Sequence, residues 1–233
     1  MKILRPSNNY VAGIFFPIGS PEEGGTCQHA SKECVDNCYA KKKDYDERVN
    51  IPEFKKRGIL NFFINKPTTS ICTEIIKEME ELQAIILSWF ASGDCLDEHV
   101  NKLFEIMILL QEKGIIQNGF TRNNNLYGKI LRSEEVNYDV LRIVFTIESE
   151  DIIYRPVCGI GNYPRGIYGV PDYKRGVVAL YYATPGYKSY GGCGFGDITH
   201  KFDGKEIEIA TNCLGCFKKK IGCFINLGQR SRE

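Results

Sequence analysis

The sequence predicts an α/β protein in which a parallel sheet forms a full or partial (β/α) barrel. Two observations favour this class. Short apolar runs alternate with segments of helical periodicity, as in βαβ units. Several of these runs are followed directly by glycine or polar residues, which is typical of barrel strands that end at a ligand site. Because crossovers between parallel strands are right-handed, successive units are expected to curl into a barrel.

The predicted elements alternate along the chain. Apolar or β-branched runs predict strands at residues 12–18, 84–90, 115–121, 140–147, 177–182 and 207–210. Apolar residues at helical spacing predict helices at residues 51–64 and 96–113 and, after a break at residues 66–70, a helix that ends near Glu81 and that Thr68 or Ser70 could cap. Possible caps at Ser31 and Asp36 indicate a short helix within residues 31–43, and residues 123–132 form either a short helix or a loop. Gly114 follows the last long helix, where glycine commonly ends helices.

The chain divides by composition into two parts. Residues 1–153 carry the first strands and helices and are expected to form the barrel core with a cysteine loop. Residues 154–204 are rich in Gly, Pro and Tyr, which predicts long ordered loops over the ligand face. We therefore assign residues 154–233 to the remaining strands, the capping loops and a C-terminal cysteine cluster.

Bulk composition limits the possible functions. The chain has 233 residues and a formal net charge of +1, so no global field favours nucleic acid or a membrane surface. No apolar run reaches about 18 residues and no signal peptide is recognisable, so we expect a cytoplasmic protein without a membrane partner. Six of the ten cysteines fall in two tight groups, which favours metal or cluster ligation over disulfides.

The first cysteine group is Cys27, Cys34 and Cys38, in a loop after the first predicted strand. Three thiolates from one loop can hold three irons of a [4Fe–4S] cluster and leave the fourth iron open, as a catalytic site requires. The alternative is a structural zinc site that His29 completes.

The second cysteine group is Cys213, Cys216 and Cys223. Its Cys-x2-Cys pair suits tetrahedral metal geometry, and either Cys193 or Cys158 could supply a fourth thiolate. Four thiolates make a closed site, which is structural or transfers electrons. Both an iron–sulfur cluster and zinc remain possible at this position.

Polar residues follow three of the predicted strands. Ser92, Gly93 and Asp94 follow the second, Arg122 the third and Glu148 the fourth. Glycine allows close approach of backbone to a ligand, and a carboxylate can accept hydrogen bonds from an ammonium group. The alternative for Asp94 is an ordinary turn that caps a helix.

These motifs resemble two iron–sulfur families. A cysteine loop after strand one, with a Gly-acid turn after strand two, resembles the radical S-adenosylmethionine (SAM) enzymes, whose usual loop is Cys-x3-Cys-x2-Cys. The Cys-x6-Cys-x3-Cys spacing here is closer to the phage-associated gene-product-eighty-eight-like family. The matching segments are Thr26-Cys27 to Cys38-Tyr39-Ala40, Ser92-Gly93-Asp94 and Cys213 to Cys223.

The resemblance implies a radical-SAM-like barrel with one open [4Fe–4S] cluster, one auxiliary cluster and bound SAM. Asp94 is then expected to bind the ammonium group of SAM. Arg122 or Glu148 is expected to contact its carboxylate or its ribose. The cofactor-binding site is expected to include Ser92, Gly93 and Tyr39. The substrate is an unknown small molecule, peptide or nucleic acid, and an external donor supplies electrons. The alternative is a non-SAM iron–sulfur or zinc protein that acts as a binding or electron-transfer module, with nucleic acid as one partner.

Overall fold

The structure is a computed structural model. It describes residues 1–8, 10–30, 34–35, 38–41, 51–137, 140–145, 198–202 and 205–209. In this part of the chain the fold is mixed α/β, with a five-stranded, mostly parallel sheet and four α-helices. The strand predicted at 177–182 lies outside the described residues.

The helices and strands are numbered in chain order. The strands are β1 (Leu4–Asn8), β2 (Val11–Phe15), β3 (Ile86–Ser92), β4 (Ile116–Thr121), β5 (Leu141–Phe145), β6 (Ile198–Phe202) and β7 (Lys205–Ile209). The α-helices are α1 (Glu53–Asn65), α2 (Thr68–Glu81), α3 (Val100–Glu112) and α4 (Asn124–Arg132). Short 3-10 helices are found at Pro21–Glu23, Tyr39–Lys41 and Asp97–His99.

The main sheet follows the order of the chain. Its strand order is β1-β2-β3-β4-β5, and β2 to β5 are parallel while β1 is antiparallel to β2. The strands predicted at 12–18, 84–90, 115–121 and 140–147 overlap β2 to β5, and the three long helices predicted between them are confirmed as α1 to α3. The segment 123–132, for which the sequence left a short helix or a loop open, contains helix α4. The short helix expected within residues 31–43 lies mostly outside the described residues. The strand predicted at 207–210 overlaps β7, which pairs antiparallel with β6 in a separate two-stranded sheet.

Strand β1 is an edge strand that the sequence pattern did not predict. It contains Pro6, which cannot donate to a sheet hydrogen bond, and its other residues do not alternate clearly. The carboxylate of Glu78 on α2 holds this segment, since it accepts the backbone N–H groups of Ile3 at 3.0 Å and Leu4 at 2.7 Å. Glu78 is buried, and the start of β1 is therefore held by buried hydrogen bonds that it donates to a helix more than 70 residues away in sequence.

All four helices share one apolar core with the sheet. Buried side chains recur every three or four residues along α2, as the helical period predicted. The core cluster joins residues of α1 to α4 to alternate residues of β2, β3 and β5: Ala12, Ile14, Leu87, Trp89, Leu141 and Ile143. On β4, Gln117 accepts the Trp89 indole N–H at 2.9 Å and donates to the Met107 carbonyl of α3 at 2.9 Å.

One face of the sheet is therefore packed against helices. Within the described residues, no helix is long and apolar enough to cross a membrane.

Replacement of Glu78 by Ala tests the anchoring of β1. It leaves the buried N–H groups of Ile3 and Leu4 without an acceptor, so we expect urea unfolding to show a loss of about 2–4 kcal/mol. Glu80→Ala, at an exposed position of the same helix, is the control and is expected to change stability by less than about 0.5 kcal/mol. Equal effects of the two substitutions contradict the anchoring role.

Candidate metal centre

The carboxyl ends of β2, β3 and β4 meet at one edge of the sheet, as parallel strands require. The end of β2 is bound to the end of β3 by two hydrogen bonds. The Phe16 N–H donates to the Ser92 carbonyl at 2.9 Å, and the Ser92 hydroxyl donates to the Phe16 carbonyl at 2.9 Å. Ser92, a predicted cofactor-binding residue, is therefore buried and bonded to the neighbouring strand.

A bulge in β3 precedes this edge. Gly13 pairs with Ser88 and Phe15 pairs with Ser92, so β3 has two more residues than β2 over the same length. Phe90, in the bulge, has a positive φ of 55°. A bulge bends its strand and changes the direction of the side chains that follow. The bulge in β3 lies directly before Gly93 and Asp94.

Asp94 joins the end of β3 to the end of β4. Its carboxylate accepts the Thr121 hydroxyl at 2.6 Å, the Arg122 N–H at 2.7 Å and the Cys95 N–H at 2.8 Å. Burial raises the pKa of Asp94, and these three hydrogen bonds and the Arg122 charge oppose the rise. Asp94 is expected from the sequence to hold a ligand ammonium group, and in the structure its carboxylate accepts hydrogen bonds from its own chain.

Thr26 connects the cysteine loop to Asp94. Its buried hydroxyl donates to the Pro17 carbonyl at 2.9 Å and accepts the Asp94 N–H at 2.9 Å. We call Thr26, Asp94, Thr121 and Arg122 the strand-end network. Sequence reasoning did not assign a role to Thr26 or Thr121; the position of Thr26 directly before Cys27 was the available signal.

Gly93 is required by this close packing. Its φ is +70°, and a Cβ atom there would lie 2.6 Å from the Thr26 hydroxyl oxygen and 2.8 Å from the Phe16 carbonyl oxygen. Both the left-handed backbone and the lack of space favour glycine at this position.

The cysteine loop reverses tightly before Cys27. The Cys27 N–H donates to the Gly19 carbonyl at 2.9 Å, and a Cβ atom on Gly25 would overlap the same carbonyl group. This reversal brings the first thiol back to the edge at which β2 ends.

The three thiols of this loop share one electrostatic environment. Burial raises the pKa of Cys27 and of Cys34 to about 11 in each case, and the Cys38 sulfur and the Asp94 carboxylate also raise both values. Arg122 lowers both values, because its positive charge favours the thiolate. Cys27, Cys34 and Cys38 are all free thiols, so each can serve as a ligand once deprotonated.

These thiols fit an iron–sulfur cluster in kind. Soft thiolate ligands suit iron–sulfur clusters and zinc, and a nearby cation offsets the charge of a thiolate set. Within the described residues, no group of three metal-ligating side chains is arranged at metal-binding distances. Ligation would therefore need local adjustment of the loop as well as loss of the thiol protons.

A second hydrogen-bond network lies beside the loop. His29 Nε2 is 2.9 Å from Asp97 Oδ1, and the Asn123 amide donates to the same oxygen at 2.9 Å and to the Cys95 carbonyl at 2.8 Å. Burial raises the pKa of Asp97, but the hydrogen bonds from His29, Asn125 and Asn123 hold it below its usual value. His29, the candidate zinc ligand, is thus engaged by a carboxylate through one ring nitrogen.

The structure brings seven of the predicted site residues to one edge of the sheet. They are Cys27, Cys34, Cys38, Ser92, Gly93, Asp94 and Arg122. The backbone of Tyr39 lies in a 3-10 helix, and its side chain is not among the described ones. Six predicted residues lie outside the described part of the chain: Glu148, Cys158, Cys193, Cys213, Cys216 and Cys223.

Comparison of the chain with protein-family models, with curated proteins and with solved structures gave no match.

Gly93→Ala tests the packing of the strand-end network, and Gly114→Ala is a matched control. Both glycines have φ near +70°, but a Cβ on Gly114 meets no atom within 4 Å. We expect Gly114→Ala to lose about 1–2 kcal/mol from backbone strain alone, and Gly93→Ala about 1–3 kcal/mol more from overlap with Thr26 and Phe16. Urea unfolding measures both, and equal losses contradict the close packing at Gly93.

Proposed function

We propose that this protein is an iron–sulfur enzyme of the radical SAM type, in which Cys27, Cys34 and Cys38 hold an open [4Fe–4S] cluster. The observation that carries the proposal is that Cys27 and Cys34 lie within electrostatic reach of Cys38, Asp94 and Arg122 at the carboxyl edge of a parallel sheet. In open α/β sheets and in barrels, ligands bind at this edge.

Three ligands from one loop support an open rather than a closed site. A metal centre with fewer protein ligands than coordination positions leaves room for a substrate or cosubstrate. A cluster held by Cys27, Cys34 and Cys38 would supply one-electron reduction of the SAM sulfonium, with the electron coming from an external donor. The protein's own residues bind and orient the reactants and exclude water.

Arg122 has the clearest role among those residues. Its backbone N–H is fixed by Asp94 at 2.7 Å, which holds the residue at the end of β4. Its guanidinium lowers the pKa of both Cys27 and Cys34 and so favours the thiolates that a cluster needs. Asp94 is a positioning residue in this proposal. Its carboxylate fixes the backbone of Arg122, and its N–H is bonded to Thr26, which precedes Cys27.

We also propose that the five-stranded sheet is part of a full or partial barrel. The parallel strands β2 to β5 follow one another in chain order without a reversal, and the helices between them share one core on one face. Barrels place their helices on the outer face in this way, whereas doubly wound sheets carry helices on both faces and reverse their strand order.

The rest of the assignment extends this proposal to the part of the chain outside the described residues. Glu148 is proposed to contact SAM, and Cys213, Cys216 and Cys223, with Cys193 or Cys158, to hold the auxiliary cluster. An external electron donor and a cytoplasmic location belong to the same proposal. The rival is a zinc or iron–sulfur binding module, whose partner could be nucleic acid.

Anaerobic reconstitution with iron, sulfide, SAM and reductant tests the proposal. We expect the wild-type chain to bind iron and to release 5′-deoxyadenosine. The Cys27→Ala/Cys34→Ala/Cys38→Ala variant is expected to lose about four irons per chain and all 5′-deoxyadenosine. Cys72→Ala, which removes a buried thiol of α2, is the control and is expected to retain both.

Each outcome of this experiment is decisive for one part of the proposal. A triple variant that keeps its full iron content contradicts the ligand assignment. A fully loaded protein that releases no 5′-deoxyadenosine contradicts the SAM chemistry. A colourless protein with stoichiometric zinc favours the rival binding module.

Arg122→Met tests the electrostatic role of the guanidinium. Without this charge the pKa values of Cys27 and Cys34 rise further, so thiolates form only at higher pH. We expect iron loading of the variant at pH 7.5 to be about tenfold weaker and to recover as the pH is raised toward 9. Arg132→Met, at an exposed position on α4, is the control; a loading curve for Arg122→Met that matches it contradicts the role.

A further inference from the structure

A row of polar side chains lies on the sheet face opposite the helices. Trp89 and Gln117 face the helices, because they are hydrogen bonded to each other and Gln117 also contacts α3. Successive residues of a strand point to opposite faces, so Ser88 and Asn118 lie on the other face. The same alternation places Arg142 there, since Leu141 and Ile143 belong to the helical core.

These three residues are in register. Ser88 pairs with Asn118 across β3 and β4, and Asn118 pairs with Arg142 across β4 and β5. Neighbouring strands are about 4.8 Å apart, so the three side chains form a continuous line across the sheet. We call Ser88, Asn118 and Arg142 the polar row. Its line continues through Gly13 on β2 to Arg5 on β1, which pair in the same register.

Apolar side chains flank the polar row on both sides. Toward the amino ends of the strands, Val11, Ile86 and Ile116 pair in register. Toward the carboxyl ends, the flanking residues of the same face are Phe15, Ala91 and Phe120. A face buried for packing alone is expected to be apolar throughout, so the polar row needs a separate explanation.

Two polar groups of the row are buried: the Arg142 side chain and the Asn118 Oδ1 atom. Arg142 is only 5% exposed, while Ser88 and Asn118 remain partly exposed. The Asn118 Oδ1 atom is buried and accepts no hydrogen bond. An unsatisfied buried polar atom costs about 1–3 kcal/mol, so a bound water, ion or ligand, or a functional role, is expected at such an atom.

We propose that the polar row binds the oxyanion of a small organic acid, either a carboxylate or a phosphate. Arg142 supplies charged donors; a guanidinium has five N–H groups and can hold a ligand in addition to its partner in the chain. The Asn118 amide can turn by 180° to donate to the oxyanion, or can accept a hydroxyl of the ligand. Among the flanking apolar residues, Ile116 and Phe120 keep accessible surface and can contact the carbon body.

This inference goes beyond the proposed function by naming a substrate class. Binding at the row does not require iron, whereas the identification of the ligand as the substrate does rest on the proposed enzyme activity. Anion binding at the polar row and the proposed enzyme activity can therefore fail separately, because anion binding is measured without SAM turnover.

Thermal unfolding of the full chain as purified tests the inference, with sodium phosphate and sodium hexanoate as probes and sodium chloride at equal ionic strength as reference. We expect at least one probe to raise the midpoint of wild-type thermal unfolding in a saturable way. A shift with phosphate identifies a phosphate ligand, and a shift with hexanoate identifies a carboxylate ligand. Asn118→Leu is expected to lose this shift and, in chloride, to have a midpoint no lower than wild type, since it removes the unsatisfied Oδ1.

Two further variants control the result. Asn61→Leu, at an exposed position on α1, is expected to keep the wild-type shift. Ser88→Ala, a smaller change in the same row, is expected to weaken half-saturation about tenfold and replaces Asn118→Leu if that variant does not fold. Absence of a wild-type shift, or equal shifts in wild type and in the row variants that fold, overturns the inference.

Discussion

The candidate metal centre depends on the buried carboxylate of Asp94. Its two oxygens accept donors from Thr121, Arg122 and Cys95, and its backbone N–H donates to Thr26. One residue thus fixes the end of β3 to the end of β4 and to the loop that carries the thiols. A buried carboxylate with charge-assisted hydrogen bonds is a strong constraint, because each donor would otherwise remain unsatisfied.

The same constraint sets the charges around the thiols. Asp94 holds the backbone of Arg122, and the guanidinium of that residue opposes the burial that keeps Cys27 and Cys34 protonated. Asp94 itself acts in the opposite sense, since its negative charge raises both thiol pKa values. Binding of a metal cation would favour the thiolates of Cys27 and Cys34, because they would then be paired with the ion as well as with Arg122.

Hydrophobic periodicity was enough to predict β2 to β5 and the three long helices α1 to α3, but it left α4 open between a short helix and a loop. It did not predict β1, because Pro6 and the Glu78 anchor depend on tertiary contacts rather than on pattern. The hydrogen bond between Asp94 and Thr121 could not be predicted either, since the two residues are 27 positions apart in sequence. The row containing Asn118 emerges only when strand register is known.

The central claim is that the first cysteine group holds a cluster with one iron open to SAM. The direct test is electron paramagnetic resonance of the reduced, reconstituted Cys213→Ser/Cys216→Ser/Cys223→Ser variant, in which the other cysteine group cannot contribute. The account predicts a [4Fe–4S] signal whose g values change when SAM is added. A signal that is identical with and without saturating SAM, or a variant that binds no iron, would contradict it.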